Sequence, residues 1–194
     1  MTVLRRAAIV AVGSELLTPS KLDTNSLHIT ERLNRLGLDV VTKAVVGDSR
    51  EELTHMIRGL LERADLLILC GGLGPTDDDV TREAVATALG RPLAEDGTIT
   101  ARLRERFKAR GFAMPMPEIN RRQAMVPAGA VVIENTKGSA PGLWIDHEGK
   151  CVLLLPGPPR ELKPMLGALV DGPLRERSSG EPLVRRVVRI AGRI

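Results

Sequence analysis

The sequence predicts a three-layer α/β/α domain built on a mainly parallel sheet. Three observations point to this class. Short apolar runs of strand length alternate with longer stretches in which apolar residues recur at helical spacing. The runs Ala7–Val12 and Leu66–Cys70 are apolar throughout, which is typical of strands buried on both faces. Glycines and capping residues separate the elements in a repeating strand-helix order, which favours parallel strands covered by helices.

The first strand and the first helix follow directly from this pattern. Ala7–Val12 is the first strand. A helix then begins at an N-cap, Asn25 or Ser26, and continues to Leu36, with Gly37 as its C-cap. Signals for a strand, for a helix and for the end of that helix therefore follow one another along the chain.

The same unit then repeats. Asp39–Val46 is predicted as the second strand. Ser49, with Glu52 three residues later, forms a capping box that begins a helix through Ala64. Leu66–Cys70 is the third strand, and it leads directly into a glycine-rich turn.

The remainder of the chain is less regular. Its predicted elements are a helix from Asp77 to Leu89, a basic helix at Thr100–Arg110, a hairpin of Gly142–Ile145 with Cys151–Leu155, and a last helix at Arg160–Leu169. Asp171–Pro182 is predicted as a linker. Val184–Ile190 is predicted as one more strand.

The charge distribution argues against nucleic-acid binding. The net charge is +4, but residues 1–159 hold 20 basic and 20 acidic side chains, so the positive excess lies in residues 160–194. Phe107, Phe112 and Trp144 are the only aromatic residues, too few to stack the bases of a single strand. We therefore expect a small-molecule ligand.

The cysteines and the hydropathy indicate in which cellular compartment the protein is found. Cys70 and Cys151 each lie within an apolar run, where a free thiol behaves as a small buried hydrophobic group. No segment approaches the roughly 20 apolar residues of a membrane helix. These features predict a cytoplasmic protein that does not enter a membrane.

The turn after the third strand is the richest candidate site, because ligands of parallel sheets bind beyond the carboxyl ends of the strands. Gly71, Gly72 and Gly74 allow phosphates to approach backbone amides. Three aspartates follow at 77–79. Carboxylates and phosphates are compatible at one place if a divalent cation such as Mg²⁺ lies between them. The turn matches neither a P-loop nor a dinucleotide fingerprint, which argues against a kinase and a dehydrogenase.

The turn and the residues after it resemble the GGxGxxxxDxTxEA signature of molybdenum-cofactor biosynthesis (MogA/MoaB-like) domains. Within that group the chain resembles the CinA family. The resemblance covers about residues 7–170 and is carried by seven blocks in family order: Gly13–Leu17, Asp23–Asn25, Val46–Asp48, Gly71–Thr76, Asn120–Ala124, Lys137–Gly142 and Leu155–Pro159.

The resemblance implies a fold, an activity and a domain boundary. It implies that residues 1–170 form a MogA/MoaB-like, molybdopterin-binding-type domain that acts in the CinA family as a divalent-metal-dependent ADP-ribose pyrophosphatase. Residues 171–194 would be a linker and the start of a following domain that this chain does not contain. It also implies a homo-oligomer, a dimer or a trimer.

The resemblance further implies roles for individual residues. Asp48 and Asp79, helped by Asp78, would bind Mg²⁺, and Lys137 would offset charge that develops on phosphate. Asp48 could instead be a neighbour of the Ser49 cap, and Lys137 a solvated loop lysine. The expected substrate-binding residues are Ser14, Glu15, Asp23, Asn25, Gly71, Gly72, Gly74, Thr76, Thr81, Arg121, Gly138, Pro156 and Gly157, although Asn25 could equally be an N-cap.

Two other functions stay open from the sequence. One is a molybdopterin-binding, nucleotide-binding or adenylyltransferase domain with its ligand in the same pocket. The other is a non-catalytic module that acts through partners in competence or DNA-damage responses.

Overall fold

The computed structural model describes residues 2–111, 115–178, 180 and 191–192. Helices pack against both faces of a six-stranded sheet. The strands are β1 (Arg6–Val12), β2 (Asp39–Val46), β3 (Leu66–Cys70), β4 (Leu93–Glu95), β5 (Met125–Pro127), β6 (Val131–Ile133), β7 (Gly142–His147) and β8 (Lys150–Leu155). The helices are α1 (Asn25–Asn34), α2 (Arg50–Leu61), α3 (Thr81–Leu89), α4 (Gly97–Ala109), α5 (Pro159–Asp171) and α6 (Pro173–Glu176), with short 3-10 helices at Ser14–Leu17 and Glu118–Ala124.

The strand order in the main sheet is β2-β1-β3-β8-β7-β6. The first four strands are parallel, whereas β7 and β6 are antiparallel to their neighbours. The carboxyl ends of β2, β1, β3 and β8 therefore meet at one edge of the sheet, where parallel sheets bind ligands.

The residues of each central strand alternate between two cores. Ala8 and Val10 of β1 face the core that contains α2 and α3. Ala7 and Ile9 face the opposite core, which contains α1 and α5. This period of two places apolar residues on both faces of every central strand, which explains why the strands are continuous apolar runs in the sequence.

A smaller substructure flanks the main sheet. Strands β4 and β5 pair in an antiparallel ladder. Ile99 and Leu103 of α4 pack with Met116 and Ala124 in a third apolar cluster. This substructure places the segment before β5 near the cleft described below.

The fold class and most predicted elements are confirmed. β2 and β3 have the predicted bounds, and the hairpin of β7 with β8 is present. Ser49 caps α2 as predicted, because its hydroxyl accepts a hydrogen bond from the Glu52 amide at 3.3 Å. The predicted strand Val184–Ile190 lies outside the described residues.

Two of the differences from the prediction have a clear physical cause. Helix α3 begins at Thr81 and not at Asp77, because the Asp79 side chain binds the preceding turn. Residues 173–178, predicted as part of a linker, pack onto the domain: Leu174 is buried, and the carbonyl of Arg177 accepts a hydrogen bond from the Leu4 amide at 2.7 Å. Within the described residues no helix is both long and apolar enough to cross a membrane.

Candidate functional site

A cleft of about 680 Å³ opens at the carboxyl ends of β1, β3 and β8. Most of the predicted site residues line it. Those in the cleft are Glu15, Asp23, Asn25, Asp48, Gly71, Gly72, Gly74, Asp78, Asp79, Pro156 and Gly157. Six predicted residues do not line it: Ser14, Thr76, Thr81, Arg121, Lys137 and Gly138.

Two glycines of the turn have no room for a side chain. Gly71 and Gly72 have φ values of 107° and 64°, in the region that favours glycine. A Cβ on Gly71 would overlap the Val12 carbonyl oxygen, and one on Gly72 would overlap the Thr81 hydroxyl. The turn therefore packs closely against β1 and the start of α3.

Thr81 supports the turn from behind. It is fully buried, and its hydroxyl donates to the Gly71 carbonyl oxygen at 2.8 Å. The Thr81 hydroxyl therefore faces the turn backbone and not the cleft, and the substrate contact expected for Thr81 stays a prediction.

Asp79 lines the cleft, but its carboxylate is engaged within the turn. One oxygen accepts from the Gly74 amide at 2.6 Å, and the other accepts from the Thr76 amide and hydroxyl at 2.9 and 2.6 Å. Thr76 thus binds Asp79 and does not reach the cleft. A carboxylate has about four lone-pair sites, so Asp79 keeps limited capacity for a cation.

Asp48 and Ser14 bind each other at the ends of β2 and β1. The Asp48 Oδ2 accepts from the Ser14 amide, and the Ser14 hydroxyl accepts from the Asp48 amide, both at 3.1 Å. Ser14 is therefore placed to orient Asp48. The Oδ1 atom of Asp48 has no hydrogen bond to any described residue, so it can bind a cation.

Asp78 is a second available carboxylate in the cleft. Its side chain is exposed, and the Thr76 hydroxyl, then its own amide, and more weakly Arg122 hold the pKa of Asp78 below its ordinary value. Asp78 is accordingly ionised at neutral pH and can take part in cation binding.

Asp23 and Asn25 connect the start of α1 to the cleft. The N-cap of α1 is Thr24, and not Asn25 or Ser26 as predicted. The Asp23 carboxylate, one residue earlier, accepts from the Ser26 amide at 3.0 Å. The Asn25 amide group donates to the Gly157 carbonyl at 2.7 Å and to the Cys70 sulfur at 3.2 Å. Asn25 therefore joins α1 to the loop after β8.

Arg121 lies outside the cleft. It forms ion pairs with Glu95 and Glu118, which fix the 3-10 helix against β4. Both acids occupy the Arg121 guanidinium in this structure, and the substrate contact expected for Arg121 stays a prediction.

Lys137 and Gly138 also lie outside the cleft. Lys137 is exposed at a loop tip, where its amide donates to Asn135 Oδ1 at 3.0 Å. Gly138 packs against Glu161, and a Cβ there would overlap the Glu161 carboxylate. A larger residue at position 138 would therefore displace the Glu161 side chain where the loop meets α5.

Several residues that the sequence did not single out also line the cleft, among them Gln123, Glu161 and Lys21. Gln123 is 2% exposed and its amide donates to Ser139 at 3.2 Å, whereas its Oε1 has no partner among the described residues. Gln123 follows Arg121 by two positions in one family block, and Glu161 follows the proline-rich block. Only the fold shows which member of each block faces the cleft.

The cleft is strongly acidic. Among the residues that the structure describes, its lining has one amine, Lys21, against six carboxylates: Glu15, Asp23, Asp48, Asp78, Asp79 and Glu161. No three His, Cys, Asp or Glu side chains of the described chain form a ready-made metal centre. Mg²⁺ usually keeps several waters and binds one or two carboxylates plus phosphates, so Asp48 and Asp78 fit such an ion.

Comparison with known proteins defines the class first. A family model described as "Probable molybdopterin binding domain" matches residues 8–176. The MoaB structure from Thermus thermophilus superposes with a TM-score of 0.58 at 20% identity, covering 93% of this chain and 99% of that one. The chain is thus a molybdopterin-binding-type domain with the MogA/MoaB-like fold.

More similar relatives define the family. The structure of CinA from Thermoplasma acidophilum, titled as of unknown function, has a TM-score of 0.80 and 34% identity, with 86% of this chain and 96% of that chain covered. The CinA-like protein of Solibacter usitatus is 50% identical over 159 residues, 82% of this chain and 38% of that protein. A putative competence-damage inducible protein of Symbiobacterium thermophilum is 49% identical over 189 residues, 96% of this chain and 44% of that protein. The chain belongs to the CinA family and spans less than half the length of these two curated relatives.

Proposed function

We propose that this domain hydrolyses the pyrophosphate bond of ADP-ribose, or of a related nucleoside diphosphate derivative, with the help of a divalent cation. One observation carries the proposal: the cleft joins a glycine turn with available amides to a group of carboxylates. The amides of Gly72 and Leu73 have no hydrogen-bond partner in the part of the chain that the structure describes, and both residues line the cleft.

The charge of the cleft supports the need for a cation. A diphosphate that approached six carboxylates and one lysine would be repelled by Coulomb forces. Asp48 and Asp78 would hold the cation, and Asp79 would contribute its remaining lone pair. When bound, Mg²⁺ would act as a Lewis acid that offsets charge on the phosphoryl oxygens.

The residues of the chain would bind the diphosphate and accept a proton. The amides of the glycine turn would bind phosphate oxygens, and Lys137 would approach from its loop tip to offset developing charge. Water would form a bond to one phosphorus while the bridging P–O bond breaks, which releases AMP and ribose 5-phosphate. The proton of that water would pass to a carboxylate of the cleft, for which Glu15 and Glu161 are candidates.

The proposal is tested with purified protein, Mg²⁺ and ADP-ribose, and the two monophosphates are quantified. We expect turnover, and we expect Asp48→Ala and Asp79→Ala to lower kcat/KM by roughly a hundredfold or more, since loss of cation stabilisation is worth several kcal/mol. Asp39→Ala is the control, because Asp39 is exposed at the opposite edge of the sheet. Unchanged turnover in both cleft variants would refute the site assignment.

A second candidate is favoured by the family model, whose description names molybdopterin binding. A pterin-binding or adenylyltransferase domain would place molybdopterin or ATP in the same cleft. Calorimetric titration with each compound, together with an assay for adenylate transfer from ATP, separates this function from hydrolysis. Absence of turnover and of binding with every nucleotide tested would instead favour a non-catalytic module.

A further inference from the structure

A buried arginine holds the backbone around Gly74. Arg82, in the first turn of α3, is 1% exposed. Its Nη1 donates to the Leu73 carbonyl at 2.8 Å, and its Nη2 donates to the Gly74 carbonyl at 2.7 Å. One guanidinium group therefore fixes the peptide units on both sides of Gly74.

The first of these peptide units also binds Asp79. The Leu73 carbonyl and the Gly74 N–H belong to one peptide unit, and in a planar trans peptide these two groups point in opposite directions. The Gly74 N–H donates to Asp79 Oδ1 at 2.6 Å. Arg82 and Asp79 therefore lie at opposite ends of one peptide dipole, the cation at the carbonyl oxygen and the carboxylate at the N–H.

No backbone partner fixes this peptide unit. Among the residues that the structure describes, neither the Leu73 carbonyl nor the Gly74 amide bonds to another backbone group. The orientation of the peptide thus depends on two side chains, Arg82 and Asp79. Each of the two hydrogen bonds polarises the peptide and strengthens the other.

The hydrogen bond from Gly74 helps to set the orientation of the Asp79 carboxylate. The other oxygen, Oδ2, is held by the Thr76 amide and hydroxyl at 2.9 and 2.6 Å. Bonds at both oxygens fix the plane of the carboxylate, and with it the direction of the lone pairs that remain. If the Gly74 peptide turned away, one oxygen of Asp79 would be free to leave that plane.

We propose that Arg82 is a positioning residue, which acts through the Gly74 peptide to fix the Asp79 carboxylate for a divalent cation. The inference rests on the proposed function in one respect, that Asp79 contributes to the cation site. Groups that orient a metal ligand from behind typically change metal affinity by roughly 10–100-fold when they are lost. The planar fork of arginine reaches two successive carbonyls, which the single ammonium of lysine cannot do.

The experiment is a titration with Mn²⁺ alone, in which electron paramagnetic resonance measures the free ion. It compares the wild type, Arg82→Lys, Asp79→Asn and the variant that carries both substitutions. We expect Arg82→Lys to weaken Mn²⁺ binding by roughly tenfold or more. When Asp79→Asn is already present, Arg82→Lys should cause little further loss, because residues that act through one another are not additive.

The chain offers a matched control. Arg91 also donates to two backbone carbonyls, those of Ala128 and Asp146, and it does not line the cleft. Arg91→Lys makes the same chemical change, and we expect this variant to bind Mn²⁺ as the wild type does. A loss caused by packing alone would not depend on Asp79, so it would appear with and without Asp79→Asn.

Three results would overturn the proposal: a wild type that does not bind Mn²⁺, equal affinity in Arg82→Lys and the wild type, or an equal loss from Arg82→Lys with and without Asp79→Asn. If Arg82→Lys does not fold, ¹⁵N NMR of the wild type with Mg²⁺ decides the question. The peaks of the Gly74 amide and of Arg82 Nε should shift together, while the Arg91 Nε peak stays in place. A Gly74 or Arg82 peak that does not respond would overturn the proposal.

This result can be separated from the proposed activity, because Mn²⁺ binding requires no substrate. A loss from Arg82→Lys that depends on Asp79, in a protein that does not hydrolyse ADP-ribose, would refute the activity and leave the role of Arg82 in place. Hydrolysis of ADP-ribose, combined with a loss that does not depend on Asp79, would refute the role of Arg82 and leave the activity.

Discussion

The thiol of Cys70 shows how a reactive residue type can be inert within a site. Cys70 lines the cleft, but burial raises the pKa of its thiol to about 12, although a hydrogen bond from Asn25 acts in the opposite direction. The thiolate is the nucleophilic form of cysteine, and it is almost absent at neutral pH. Cys70 is therefore a packing residue of the site and not a nucleophile.

We predict that iodoacetamide leaves Cys70 unmodified in the folded protein at pH 8, because both access and ionisation oppose the reaction. Mass spectrometry of the native and the urea-unfolded protein measures this directly. Cys151 is an internal control, since burial raises the pKa of its thiol as well. Rapid modification of Cys70 alone in the native state would contradict the assignment.

Of two neighbours in one sequence block, Gln123 faces the cleft and Arg121 does not. Gln123 is buried beside the cleft with one amide oxygen unpartnered among the described residues, whereas Arg121 is bound to Glu95 and Glu118. A polar ligand that donates to the Gln123 oxygen would satisfy a group whose desolvation is otherwise costly.

We predict that Gln123→Met weakens ADP-ribose binding by roughly tenfold, the effect of about 1.4 kcal/mol from a lost hydrogen bond to ligand. Arg121→Met is expected to leave affinity unchanged. Isothermal titration calorimetry in the presence of Mg²⁺ measures the ADP-ribose affinity of both variants. Equal losses in the two variants would show that the 3-10 helix as a whole, and not Gln123, determines affinity.

At the scale of elements, β4 is joined to the 3-10 helix by a charge pair. Hydrogen bonds from Arg121, then from Thr100, lower the pKa of Glu95 below its ordinary value of 4.5. A carboxylate with a lowered pKa in the folded state stabilises the fold above its unfolded-state pKa. That contribution is lost as the pH falls through the folded-state value.

We predict that Glu95→Gln lowers the Tm by about 1–2 °C at pH 7, since exposed ion pairs contribute little. The difference from the wild type should disappear when the pH falls below the lowered pKa of Glu95. Thermal unfolding followed by circular dichroism from pH 7 to pH 3 measures both effects. A Tm difference that does not narrow at all as the pH falls would mean that the carboxylate acts through packing and not through its charge.

The elements themselves could be predicted where local signals decide them. The bounds of β2 and β3 and the Ser49 cap follow from apolar runs and capping chemistry. The start of α3 could not be predicted in this way. A run of aspartates is typical of a first helical turn, but Asp79 bonds to Gly74 and Thr76, which lie before the helix.

At the scale of the whole molecule, the sheet brings the site together from distant segments. Leu66 of β3 pairs with Ala7 on one side and with Cys151 on the other. This order places Asp48, the glycine turn and Gly157 at one cleft. The sequence predicts a site at the strand ends. Long-range pairing decides which side chains of each loop face the cleft there, as Gln123 and Glu161 show.

The negative charge of the cleft arises when the chain folds and does not belong to any one segment. Residues 1–159 have no net charge, but folding collects six carboxylates and one lysine around the amides of the glycine turn. An anionic ligand in that cleft meets repulsion that monovalent salt screens only in part. A divalent cation between carboxylate and phosphate removes the repulsion and supplies bonds in its place.

We therefore predict that removal of divalent cations with EDTA weakens ADP-ribose binding by roughly a hundredfold or more, several kcal/mol of lost charge stabilisation. Restoring Mg²⁺ should recover the affinity, whereas raising NaCl alone should recover only a small part of it. Isothermal titration calorimetry measures the affinity for ADP-ribose in each condition. Asp48→Asn provides the comparison, because it keeps an oxygen for the Ser14 amide and removes one charge. With Mg²⁺ present, this variant should bind ADP-ribose more weakly than the wild type does. Without Mg²⁺ it should bind ADP-ribose more tightly than the wild type does. Weaker binding in both conditions would mean that Asp48 contacts the ligand directly.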